Sequence, residues 1–130
     1  MIDTIISLHY YNVFLVLAVA VVTGVWGLFL YFRKLSVNRP WRIALGVTAL
    51  LGALQGLLGI ILSLSGLKPG TGTGLYYLHF VYGAIVALAI PVGLTYTTSG
   101  KNLRRDLLIY SIAALVLAAA GVRAWMTGPR

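Results

Sequence analysis

Four long apolar runs constrain this chain more than any other feature. They cover about residues 6–32, 43–66, 75–97 and 106–126, and the first reads "ISLHYYNVFLVLAVAVVTGVWGLFLYF". A helix needs roughly 20 residues to cross a hydrocarbon layer of about 30 Å, and each run is long enough. Helix is the preferred form, because lipid offers no partner to a stray backbone N–H or C=O. Barrel strands are excluded, since runs of this length do not alternate in polarity. The connections are short. "RKLSVNRPW" breaks the first hairpin, "LKPGTGTG" is built of turn residues, and "TSGKNLRR" joins the last two runs. Sequential helices should therefore be antiparallel neighbours in an up-down bundle. The expected fold is an all-α integral membrane protein. It has one domain, residues 1–130, with four transmembrane helices.

Composition agrees. Of 130 residues, 60% are hydrophobic and 9% charged, more apolar surface than a soluble domain of this size can bury. There is no cysteine, so disulfides and thiolate metal sites are excluded. The formal charge of +8 would suggest nucleic acid in a soluble protein. Here the basic residues sit mostly between apolar runs, and no nucleic-acid partner is expected. The first run lacks the basic start of a signal peptide and is too long for one, so it is expected to stay in the mature chain.

The basic residues set an orientation. Arg33, Lys34, Arg39, Arg42, Lys101, Arg104 and Arg105 fall at one end of the bundle, and Lys68, Arg123 and Arg130 at the other. Seven against three places the first and third connections in the cytoplasm and both termini outside, in a cytoplasmic membrane of prokaryotic type. Tyr10, Tyr11, Tyr76, Tyr77 and Trp125 should mark the outer interface, and Tyr31, Phe32, Trp41 and Tyr96 the inner one.

The chain has two histidines, His9 in "SLHYYNVF" and His79 in "YYLHFVYG". Each opens an apolar run that enters from the same side, so the two should lie at similar depth. Runs one and three should be diagonal in the bundle, roughly 11–14 Å apart when neighbouring axes lie about 8–10 Å apart. That gap is too wide for a direct hydrogen bond and suits two imidazoles reaching to opposite sides of one flat ligand. The face below His9 passes Val13, Val16, Ala20, Thr23 or Gly24, and Gly27. The face below His79 passes Gly83, Val86, Ala89 or Ile90, and Gly93. Gly83 leaves space beside the imidazole, and Pro91 should kink the third helix.

Two imidazoles without a nearby carboxylate or thiolate make a poor zinc or non-haem iron site. A haem supplies four nitrogens of its own and asks the protein for one or two axial ligands. The economical expectation is one haem b held by His9 and His79, with Arg123 or Lys68 pairing a propionate. Structural readings stand beside this. Each histidine can be an interfacial residue or a helix–helix donor, and Arg123 can simply reach the headgroups. Gln55 can be packing glue, and Gly52, Gly56 and Gly59 form a small-residue packing stripe.

The openings "LHY" at 8–10 and "LHF" at 78–80 make the two hairpins look like a parallel repeat. "LGALQGLLGIILSLSG", residues 51–66, followed by "YLHFVYGAIVALAI", residues 77–90, resembles one four-helix half of the haem A synthase family. That family oxidises a methyl of haem O to a formyl and carries haem b. The resemblance implies that His9 and His79 are axial ligands and that Gln55 and Gly59 lie near or below the macrocycle. It departs at three points. Ile5 stands where the family's catalytic half has glutamate, Tyr10 follows the first histidine where arginine is frequent, and the outer-loop cysteine pair is missing.

The functional expectation is a membrane haem b protein serving electron transfer or haem holding, as a homo-oligomer or within a larger membrane complex. The alternatives are a single-half haem A synthase-like enzyme acting as an oligomer, a cofactor-free accessory subunit, and a small transporter. The last is disfavoured by the lack of buried acids and of a polar stripe.

Overall fold

The computed structural model describes residues 1–67 and 77–127. Within them the chain is all helical, with α1 Ile2–Phe32, α2 Arg39–Leu64, α3 Tyr77–Thr95 and α4 Leu103–Thr127. Each is long and apolar enough to cross a membrane. Three of them outrun the apolar stretches predicted for them. α2 starts at Arg39 because the Asn38 side chain accepts the Trp41 N–H at 2.8 Å and Pro40 occupies the first turn. α4 starts at Leu103 because Asn102 accepts the Arg105 N–H at 3.1 Å. Hydrophobicity ends where lipid ends, whereas a capped helix continues into the polar layer.

α1 packs on α2 and α4, and α3 packs on the same two helices. α2 and α4 also meet across the centre, whereas the α1 and α3 backbones do not approach each other among the described residues. The cross-section is thus a ring in chain order with one short diagonal and one long one. The long diagonal is the predicted α1–α3 pair.

The two predicted inward faces are the observed ones. Val13, Val16, Ala20, Thr23, Gly24 and Gly27 are buried on α1, and Val86, Ile90 and Gly93 on α3. The outward faces carry exposed Phe14, Leu15, Leu50, Leu57, Leu88 and Val92. The exterior is large and apolar, whereas the interior mixes small and polar residues with Trp41, Leu107 and Leu117. This reverses the usual arrangement in water and fits a surface covered by lipid.

Close approach requires the glycines of α2. A Cβ on Gly52 would lie 2.7 Å from the Val86 carbonyl oxygen, and one on Gly56 would lie 2.7 Å from the Ala87 Cβ. This is the packing stripe read from the sequence, and it clamps α2 onto α3. α3 runs through Pro91 as one helix.

The basic end is closed by a polar core. Trp41, predicted as an interfacial aromatic, is instead 2% exposed. Its Nε1–H donates to the Thr23 carbonyl at 3.0 Å, and Leu30 and Leu107 pack around it. The ring turns inward because Gly27 leaves room, since a Cβ there would sit 3.0 Å from the indole nitrogen. Thr23 and Thr48 share a hydrogen bond of 3.1 Å beside it. The α3–α4 connection is built on Asp106. Its carboxylate accepts the Thr98 N–H at 2.7 Å, the Thr98 hydroxyl at 2.9 and 3.0 Å, and the Gly100 N–H at 3.0 Å. That bonding lets Ser99 and Gly100 hold positive φ angles of 56° and 89°.

Candidate functional site

His9 lies two turns into α1, and His79 in the first described turn of α3. Their rings meet across the long diagonal with centroids 6.0 Å apart and planes at 74°. The equal depth expected of the pair is therefore observed, and the imidazoles form no hydrogen bond with each other among the described residues.

Each ring is held differently. His79 Nδ1 lies 2.7 Å from the Ala124 carbonyl of α4. A carbonyl only accepts, so Nδ1 carries the proton and Nε2 keeps a free lone pair. This is the arrangement by which a backbone carbonyl orients a metal-ligating histidine. His9 Nδ1 is buried without a hydrogen-bond partner. The Gln55 backbone lies beside the ring but not in hydrogen-bond geometry. A buried ring nitrogen left without a partner carries a desolvation penalty of about 1–3 kcal/mol, so it marks a site with an unmet demand.

The backbone of His9 is fixed from α2. Gln55 Nε2–H donates to the His9 carbonyl at 2.9 Å. Gln55 Oε1 accepts from Asn12 Nδ2 at 2.9 Å, and the same Asn12 nitrogen reaches the Leu51 carbonyl at 3.3 Å. Gln55 thus acts here as interhelical glue directed at His9. Asn12, buried and central to this network, was not singled out from the sequence. Its signal was present: a polar residue one turn below His9 on the face that also carries Val16 and Ala20.

Gly59 stands against the His9 ring, where a Cβ would lie 3.3 Å from Cε1. At Gly83 an added Cβ meets nothing within 4 Å, so open space flanks α3 one turn below His79. Arg123 is exposed, with its guanidinium 5.5 Å from the Tyr82 ring centroid, one position before the carbonyl that holds His79. The structure therefore gathers His9, His79, Gln55 and Gly59 at one end of the bundle, with Gly83 and Arg123 beside them. Lys68, Tyr76 and Arg130 lie outside the described residues.

No cluster of three or more His, Cys, Asp or Glu side chains exists among the described residues. The two acids of the chain are remote from metal duty. Asp3 is exposed near the N-terminus, and Asp106 braces the opposite end. The histidine pair can thus supply nitrogen donors from two helices and no negative charge. Compared with family models, with curated proteins and with solved structures, the chain finds no match.

Proposed function

We propose that this chain is an integral membrane protein that holds one haem b between His9 and His79, for single-electron transfer or for keeping haem until another protein takes it. The observation that carries the reading is the separation of the two rings. Imidazoles bound to one metal from opposite sides, at metal–nitrogen distances of about 2.0–2.1 Å, have centroids about 6 Å apart. The observed 6.0 Å is close to that separation and supports the reading. Axial ligation fixes where each nitrogen lies but leaves each ring free to rotate, so 74° between planes is compatible.

Five further features support it. The His79 tautomer leaves Nε2 as donor, and His9 Nδ1 is buried without a partner. Two donors suit a macrocycle that brings four nitrogens, and fail the needs of zinc or non-haem iron. The cradle belongs at the level of the histidines, by Gly59 and Gly83, because the α2–α3 clamp at Gly52 and Gly56 fills the space further in. Arg123 is the described cation beside the site and would pair a propionate. When bound, haem b supplies a one-electron couple. The chain supplies ligand identity, burial and neighbouring charge, which set its potential.

In this reading the bundle lies in a bilayer with both termini outside, and assembles with further copies or a larger complex. The haem A synthase-like alternative keeps the same ligands but needs a group to move protons at the site. Asp3 is the sole acid at that end and is exposed, which favours electron transfer or holding over oxygenation.

The test is an absorption spectrum of the purified chain, oxidised and dithionite-reduced, beside His9→Ala and His79→Ala. A sharp low-spin α-band on reduction, lost or converted to high spin in both variants, is the expected result. A colourless wild type that also refuses added haem would leave two interfacial histidines in a structural subunit.

A further inference from the structure

A cleft of about 570 Å³ lies at the basic end, away from the histidines, between α2, α3 and α4. That volume falls within the range of about 300–1,000 Å³ typical of ligand sites. Its walls are apolar, with Leu45 and Ala49 from α2, Ile90 and Leu94 from α3, and Leu107 from α4. Its basic end is lined by Arg42 in the first turn of α2, Thr97, Ser99 and Gly100 in the α3–α4 connection, and Asp106. Gly46 is exposed at its edge, and a Cβ built there meets nothing within 4 Å.

The charge at this mouth is one-sided. Arg42 is exposed, and Arg39, Lys101, Arg104 and Arg105 occupy the adjoining first turns and loop. The single acid, Asp106, turns both oxygens onto Thr98 and Gly100. An apolar body under a cationic mouth is complementary to an amphiphile with a hydrocarbon tail and an anionic head. We propose that this cleft binds one anionic phospholipid, with an acyl chain along Leu45, Ala49 and Ile90 and its phosphate at Arg42. The proposal rests on the membrane reading of the chain and is independent of the histidine pair. A zwitterionic lipid would offer the chain without net charge, and inorganic phosphate the charge without the chain.

The experiment is native mass spectrometry of the full chain in detergent, titrated with phosphatidylglycerol, phosphatidylcholine or inorganic phosphate. One phosphatidylglycerol is expected to stay bound at concentrations where phosphatidylcholine and phosphate do not. Arg42→Gln should weaken it about fivefold, the worth of one cation at an anionic lipid surface. Gly46→Leu should abolish retention by filling the cleft. Arg33→Gln should change nothing, because Arg33 ends α1 and lies over the Phe29 ring, outside the cleft. Helical circular dichroism and monodispersity confirm that each variant folds, and Ala49→Leu replaces Gly46→Leu if that variant does not. Equal retention of phosphatidylcholine, equal loss in Arg33→Gln, or full binding in the cleft-filling variant would each overturn the proposal.

Discussion

Gln55 donates to the carbonyl of His9 across 46 positions of sequence, at 2.9 Å, and so ties the middle of α2 to the backbone that carries one imidazole. The same amide accepts from Asn12, which makes one side chain the link between α2 and two consecutive turns of α1. Gln55→Leu keeps the volume and removes both bonds. Interhelical hydrogen bonds in membranes average about 0.6 kcal/mol, and a buried Asn12 left with only the Leu51 carbonyl adds to that. The variant should lose about 1–2 kcal/mol in detergent unfolding. Asn12→Leu combined with Gln55→Leu should lose less than the sum of the singles, since the double variant strands nothing. Strict additivity would show that the two amides do not act together.

The tautomer of His79 is fixed by its acceptor. Ala124 offers only a carbonyl, so Nδ1 must carry the hydrogen. Nitrogen-15 spectra of histidine-labelled protein should show His79 as the Nδ1–H form, with the same tautomer in His9→Ala. An Nε2–H signal for His79 would mean that α4 does not hold this ring.

Gly59 and Gly83 separate structural from ligand effects. Gly59→Leu drives side-chain atoms into a ring already 3.3 Å from the missing Cβ, so His9 must move. Gly83→Leu extends into open space and should leave helicity and unfolding within about 0.5 kcal/mol of wild type. In the haem reading both variants lose colour, but only Gly59→Leu also loses stability. Haem-to-protein ratios measured beside thermal unfolding distinguish them.

Gly27 and Ser111 form the tightest test of the basic end. A Cβ at position 27 collides with Ser111 Oγ and lies 3.0 Å from both the Ser111 Cβ and the Trp41 indole nitrogen. Gly27→Ala should destabilise by about 1–3 kcal/mol, the usual range for overpacking. Adding Ser111→Ala should recover part of that and not all, because the Cβ and indole contacts remain. Complete recovery would place the whole clash on the hydroxyl.

Asp106 braces the α3–α4 connection with four hydrogen bonds to a charged acceptor. Asp106→Asn keeps the shape but turns one accepting oxygen into a donor facing donors. A loss of about 1.5–3 kcal/mol is expected, read by unfolding and by earlier protease cleavage between α3 and α4. Unchanged cleavage would mean that the loop does not depend on the carboxylate.

The helices and the inward faces were legible because a membrane helix writes its environment into its residues. The 3.6-residue step from each histidine found Val16, Ala20, Thr23, Val86 and Ile90, all buried. What escaped were partners chosen by three-dimensional approach. Nothing in the spacing says that Asn12 should meet Gln55, or that Ala124 should offer its carbonyl to His79. Trp41 misled for a related reason. Its position near a helix end suits an interfacial ring, and only Gly27 on another helix reveals the slot that draws it inward. Asp106 was hidden because a single acid beside two arginines reads as charge balance and not as a loop anchor.

The polar core around Trp41, Thr23 and Thr48 completes its hydrogen bonds within the chain at the basic end, whereas the histidine end keeps an unsatisfied ring nitrogen. In the haem reading, the bundle would be a vessel whose floor is closed independently of its contents. On that reading the chain should reach its helical form without haem, and taking up haem would be a late and separate event in its life.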